Sequence, residues 1–154
     1  MREGEEKMSI FPAKILLATD GSEEAQLAAT TASDLAQKTN SELHVLTVGP
    51  DLPLYELPEH PAEFEDVLQQ NRRTAKERLE QQAKRIEESG GTVKETHLRE
   101  GRAEEEIVEL AEEIGAGLIV MGSRGQGRLR RALMGSVSDA VVRHAHCPVT
   151  IVRE

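Results

Sequence analysis

Aromatic side chains are nearly absent from this 154-residue chain: Phe11, Tyr55 and Phe64 are all it has, and tryptophan is missing. Three rings cannot make a row of platforms for stacked bases, which excludes single-strand nucleic-acid recognition of that kind. Basic charge is short as well. Nineteen Lys and Arg stand against 28 Asp and Glu, a net charge of −9 that disfavours binding to a phosphate backbone. No apolar run approaches the ~18–20 residues that a membrane-spanning helix needs. The charged start, Met1 to Lys7, has no apolar stretch of signal-peptide type. Cys147 is the sole cysteine and can form no internal disulfide, which fits a reducing compartment; the expected location is cytoplasmic. What remains is enough for one ordinary domain, because 38% apolar residues and 12 glycines can build a core.

Four short apolar runs punctuate the chain: Lys14–Thr19, Leu43–Val48, Gly117–Met121 and Pro148–Val152. Continuous apolar runs followed by turn residues suit strands buried on both faces. A fifth segment, Thr92–Leu98, is strand-like but polar, as a sheet edge would be. Helical spacing of apolar residues fills the intervals at about 23–38, 62–89 and 107–114, and a last helix is expected at about 136–144. Pro61 suits a first helical turn and Gly90-Gly91 a stop. The order β-α-β-α-β-α-β-α-β predicts a single doubly wound α/β domain over residues 12–154, a parallel sheet with helices on both faces. Residues 1–11, rich in Glu and Lys and without period, are expected to form a flexible leader.

In such folds ligands sit beyond the carboxyl ends of the strands. Three strands end there in suitable residues: Asp20-Gly21-Ser22, Val48-Gly49-Pro50 and Gly122-Ser123-Arg124-Gly125. The last opens a glycine-rich stretch that runs to Gly135-Ser136-Val137-Ser138, at the start of the fourth helix. Glycines let backbone N–H groups converge on an anion, and a helix N-terminus favours phosphate. From Gly122 to Ala145 five arginines face one aspartate, a basic island of +4 in an acidic chain. The competing account is an ordinary α/β turn with solvated arginines. Neither Gly-x4-Gly-Lys-Ser/Thr nor a Gly-x-Gly-x-x-Gly after the first strand is present to decide between them.

The spacing Gly122-x2-Gly125-x9-Gly135-Ser136 resembles the signature of the ATP-binding universal stress proteins. The likeness extends from about Pro12 to Arg153 and includes Thr19-Asp20-Gly21-Ser22 and His146-Cys147-Pro148-Val149. This resemblance implies a five-stranded parallel sheet of order 3-2-1-4-5 and an adenine nucleotide, ATP, at the junction of the first and fourth strands. It implies that Ala18, Thr19, Asp20 and the Val48 backbone surround the adenosine and that Met121 and Gly122 flank the ribose. Gly125, Gly135, Ser136, Val137 and Ser138 would hold the phosphates through backbone N–H and hydroxyl groups, with Arg124 as an auxiliary partner. Mg²⁺ would bridge the phosphates, since it binds chiefly through phosphate and water. Asp20 is either its nearest carboxylate or a hydrogen-bond partner of the nucleoside, and the rival role for Asp20 is a plain helix cap. The likeness also implies a homodimer through the last strand, which independently lies at an apolar sheet edge in need of cover.

Other candidates carry less. His144 and His146 on a regular helix point apart and lack further ligands, so no metal site is expected there. Cys147 before Pro148 reads as a small apolar residue and not as a nucleophile. Ser22 and Ser136 have no His–Asp arrangement legible in sequence. The proline-bearing loop at 50–61 is either a lid or a stiff connection. The expected function is therefore a nucleotide-dependent regulatory or stress-response protein, not an enzyme beyond slow ATP hydrolysis, acting on an unidentified protein partner. The alternatives are a non-nucleotide interaction module of the same fold and an adenylating enzyme. The latter is disfavoured because Asp20 and Glu23 crowd the loop that would hold pyrophosphate.

Overall fold

The computed structural model describes residues 9–49, 59–123 and 135–154. Its elements in chain order are β1 (Lys14–Ala18), α1 (Glu23–Thr39), β2 (Glu42–Gly49), α2 (Pro61–Glu88), β3 (Glu95–Glu100), α3 (Ala103–Ile114), β4 (Leu118–Gly122), α4 (Ser136–His144) and β5 (Val149–Val152). All strand pairs are parallel and the sheet order is β3-β2-β1-β4-β5, as expected.

Alternation along the strands divides the core into two. Ile15, Leu17, Leu43, Val45, Leu118 and Val120 face α1 and α2, where they meet Ala28, Ala29, Ala32, Ala36, Leu79 and Ile86. Leu16, Ala18, Leu46, Ile119 and Met121 face α3 and α4, against Ile107, Leu110, Ala111 and Val141. The first face is lined by alanines, so α1 lies close upon the sheet. Phe11 packs against the same cluster, so the expected leader does not extend to that residue. Residues 1–8 lie outside the described residues.

Local chemistry sets the helix ends. Ser22 caps α1, its Oγ accepting from the Ala25 N–H at 3.2 Å. Asn40 closes it in the left-handed region at φ 55°. Pro61 begins α2 and Gly90, at φ 98°, follows its end. Gly115, at φ 70°, stops α3. The polar strand departs from expectation: it starts at Glu95, not Thr92, and runs through Arg99 and Glu100. Two ion pairs explain how those charges remain in a strand. Arg99 pairs with Glu113 of α3 and Arg72 of α2 with Glu100.

Candidate functional site

A cleft of ≈ 400 Å³ opens over the carboxyl ends of β1, β2 and β4. That volume lies in the usual small-molecule range of about 300–1,000 Å³. It sits where strand order reverses, since the chain leaves β1 for β2 on one side and β4 lies on the other.

Ten of the twelve expected residues converge on it: Ala18, Thr19 and Asp20 after β1, Val48 on β2, Met121 and Gly122 on β4, and Gly135 to Ser138 entering α4. Arg124 and Gly125 lie outside the described residues, as does most of the 50–61 loop. Ala18 and Met121 form an apolar floor, nearly buried. Thr19 is held from both sides: its N–H donates to the Leu46 carbonyl at 2.9 Å and its hydroxyl to Gln82 Oε1 at 3.1 Å.

Asp20 is not the helix cap. Ser22 fills that position, and Asp20 Oδ1 instead accepts the Ser22 N–H at 2.9 Å, which ties the turn after β1 to the start of α1.

Gly122 owes its lack of a side chain to packing. A Cβ there would stand 3.0 Å from Glu24 Cβ and 3.2 Å from the Glu24 carbonyl carbon. Beneath it, the buried Ser123 hydroxyl donates to Glu24 Oε2 at 2.6 Å. The Ser123 carbonyl accepts the Gly135 N–H at 2.6 Å and the Ser138 hydroxyl as well. These bonds pin the start of α4 to the end of β4. They also correct one expectation. The Ser138 hydroxyl is buried and engaged with backbone carbonyls, so only its backbone N–H is left to face an anion.

Gly135 is the N-cap of α4 and has no side chain to satisfy the N–H groups of the first turn. Unpaired donors at a helix start, with the helix dipole behind them, suit an anionic group.

Sequence reasoning missed part of the lining. Ile107 and Ala103 of α3 and Arg78 of α2 also border the cleft. Arg78 and Ile107 belong to helices whose periodic faces mark core but not which end reaches a ligand. Ser22 and Ser123 border it too, within the two strand-end segments that the sequence marks as suited to a ligand.

A family model described as the universal stress protein family matches residues 13–153. The chain belongs to that family. It is 36% identical over 141 residues to a universal stress protein of Methanocaldococcus jannaschii, covering 92% of this chain and 82% of that one. Among solved structures, the universal stress protein UspA from Lactobacillus plantarum superposes with a TM-score of 0.80 at 27% identity, covering 93% of this chain and 99% of that one. A universal stress protein in complex with cAMP superposes with a TM-score of 0.64 at 26% identity, covering 91% and 95%.

Proposed function

We propose that this universal stress protein binds an adenine nucleotide, ATP foremost, and acts as a nucleotide-dependent regulator read by a protein partner. One observation carries the reading. An uncapped helix N-terminus, at Gly135 and Ser136, opens into a cleft at the switch point of a parallel sheet. The apolar floor of Ala18 and Met121 suits a base or ribose, and the first turn of α4 suits phosphates. The relative in complex with cAMP lends support, because it shares the fold and holds an adenine nucleotide. Mg²⁺ would join through the phosphates, with Asp20 the carboxylate at hand.

A regulatory role is favoured over catalysis because three of the cleft's four serine hydroxyls are committed. Ser22 caps α1, Ser123 donates to Glu24, and Ser138 donates to backbone. We also infer that two copies pair through β5, the outer strand beside β4.

The reading is tested by calorimetric titration with Mg-ATP. Gly135 has an extended backbone, φ −78° and ψ 167°, which valine accepts without strain. Gly135→Val would then place a branched side chain where phosphate must approach backbone. We expect binding to vanish with the far-UV circular dichroism intact; unchanged affinity would overturn the proposal. Asp20→Asn gives a second check: a weakened Mg-ATP titration is expected, whereas parental affinity would remove Asp20 from the ligand's surroundings.

A further inference from the structure

At the opposite end of the sheet, 53 residues apart in sequence, two histidines are brought together by strand register alone. His44 of β2 is paired with Glu95 of β3, and Leu46 with His97, so His44, Glu95 and His97 share the face covered by α3 and α4. Some 4 residues of β2, about 13 Å at ~3.3 Å per residue, separate His44 from Val48 at the cleft. His44 is only 4% exposed, an uncommon state for an imidazole, and Leu16 of β1 stands beside it in register.

Three atoms converge there. His44 Nδ1 and His97 Nε2 are 3.1 Å apart, and Glu95 Oε2 lies 3.9 Å from the first and 3.8 Å from the second. A point equidistant from all three, in their plane, is about 2.1 Å from each, which is the bond length zinc makes to imidazole and carboxylate, about 2.0–2.2 Å. A fourth group completes the pattern. Glu42 Oε2 sits 3.4 Å from His44 Nε2, the ring nitrogen that faces away from the cluster. With its proton on Nε2, facing that carboxylate, His44 would have the Nδ1 lone pair available on the side of Glu95 and His97, the outer-shell arrangement of many zinc histidines.

We propose that His44, Glu95 and His97 bind one divalent transition-metal ion, with zinc the best match, and that Glu42 orients His44 for it. Two imidazoles and a carboxylate are a zinc ligand set, whereas Mg²⁺ and Ca²⁺ call for oxygen alone. Water would take the fourth position, on the side where the Glu95 side chain is 62% exposed. The competing account is that His44 and His97 merely share a hydrogen bond, stacked at 5.4 Å between ring centroids. An ion would take the place of the proton in that bond, and the proton would move to the other ring nitrogen of His97, Nδ1. Bound there, it would fasten the polar edge strand β3 to β2. Among the described residues this is the one His/Cys/Asp/Glu group with ligand atoms all within reach of a single ion.

The experiment is calorimetric titration of the chelator-stripped full-length protein with Zn²⁺ alone, without nucleotide, together with thermal unfolding. We expect one ion per chain and a melting temperature that rises with free zinc. His97→Ala, at the partly exposed edge, should abolish both effects while circular dichroism stays parental. Glu42→Gln should weaken binding about 10–100-fold. His146→Ala, a surface histidine paired with Glu112, should change neither effect. Absence of zinc binding, or binding that survives His97→Ala or is lost in His146→Ala, would overturn the proposal. The outcome is independent of whether the cleft at the other end binds ATP.

Discussion

At the scale of single residues, two side chains make measurable claims. Thr47 of β2 is 2% exposed and its hydroxyl finds no hydrogen-bond partner among the described residues. A buried hydroxyl without a partner costs roughly 1–3 kcal/mol. Thr47→Val keeps the shape and the strand preference, so it should raise unfolding stability by about 1 kcal/mol in urea titrations. Cys147 is half-buried, and burial alone pushes its thiol above the ordinary range. The thiolate is therefore scarcer than in a free cysteine at mildly alkaline pH. Alkylation by iodoacetamide at pH 8 should run slower on the folded protein and recover the free-thiol rate in denaturant. Equal rates would show that burial does not protect it. Thr47 escapes sequence reading because whether a buried hydroxyl is satisfied depends on what the opposite layer places over it.

Among the elements, β3 shows how far sequence reached. Its polarity marked it as an edge, and an edge it is; but the expected start at Thr92 was displaced to Glu95. Val93 had looked like strand, yet it serves as a partly buried cover over the α1 and α2 core. Arg99 and Glu100 lie beyond the expected end at Leu98, yet ion pairs to α3 and α2 keep them in the ladder. The apolar strands were legible because both of their faces are buried, so composition alone locates them. The cleft was legible at Asp20 and Gly122, where a turn and a glycine betray a strand end, and at Gly135, where a glycine opens a helix. Arg78 and Ile107 were not, since helical periodicity says which face is covered but not by what. The Arg99–Glu113 pair also predicts a pH effect. Arg99 holds the Glu113 carboxyl below its usual range, so the folded state favours the charged form. Its contribution is present above the unfolded carboxylate value of about 4.3 and is lost as pH falls through the lower folded value. Glu113 is about half exposed and Arg99 only part-buried, so the effect should be small and salt-sensitive. Glu113→Gln should flatten the acid limb of stability between about pH 5 and pH 3 at low salt, and the difference from the parent should fade in 1 M salt.

At the scale of the whole molecule, β5 is four residues, Val-Thr-Ile-Val, each part-exposed on the outer side of the sheet. Two copies related by a two-fold axis could pair these edges and cover them together. Light scattering at micromolar concentration should give twice the 17.0 kDa chain mass, and Ile151→Pro, which removes a ladder N–H, should return it to one. A single-chain mass for the parent would refute the pairing. Gly122 carries a different kind of consequence. It belongs to the glycine signature, yet the crowding of Glu24 against it would exist with the cleft empty. Gly122→Ala should therefore lower the melting temperature as much without nucleotide as with it. In a lineage that abandoned its ligand, selection would still hold this glycine in place while Gly135 was released to drift. The persistence of the first glycine in a distant descendant would then testify to the fit of helix on sheet, and only the second would bear witness to what the cleft once held.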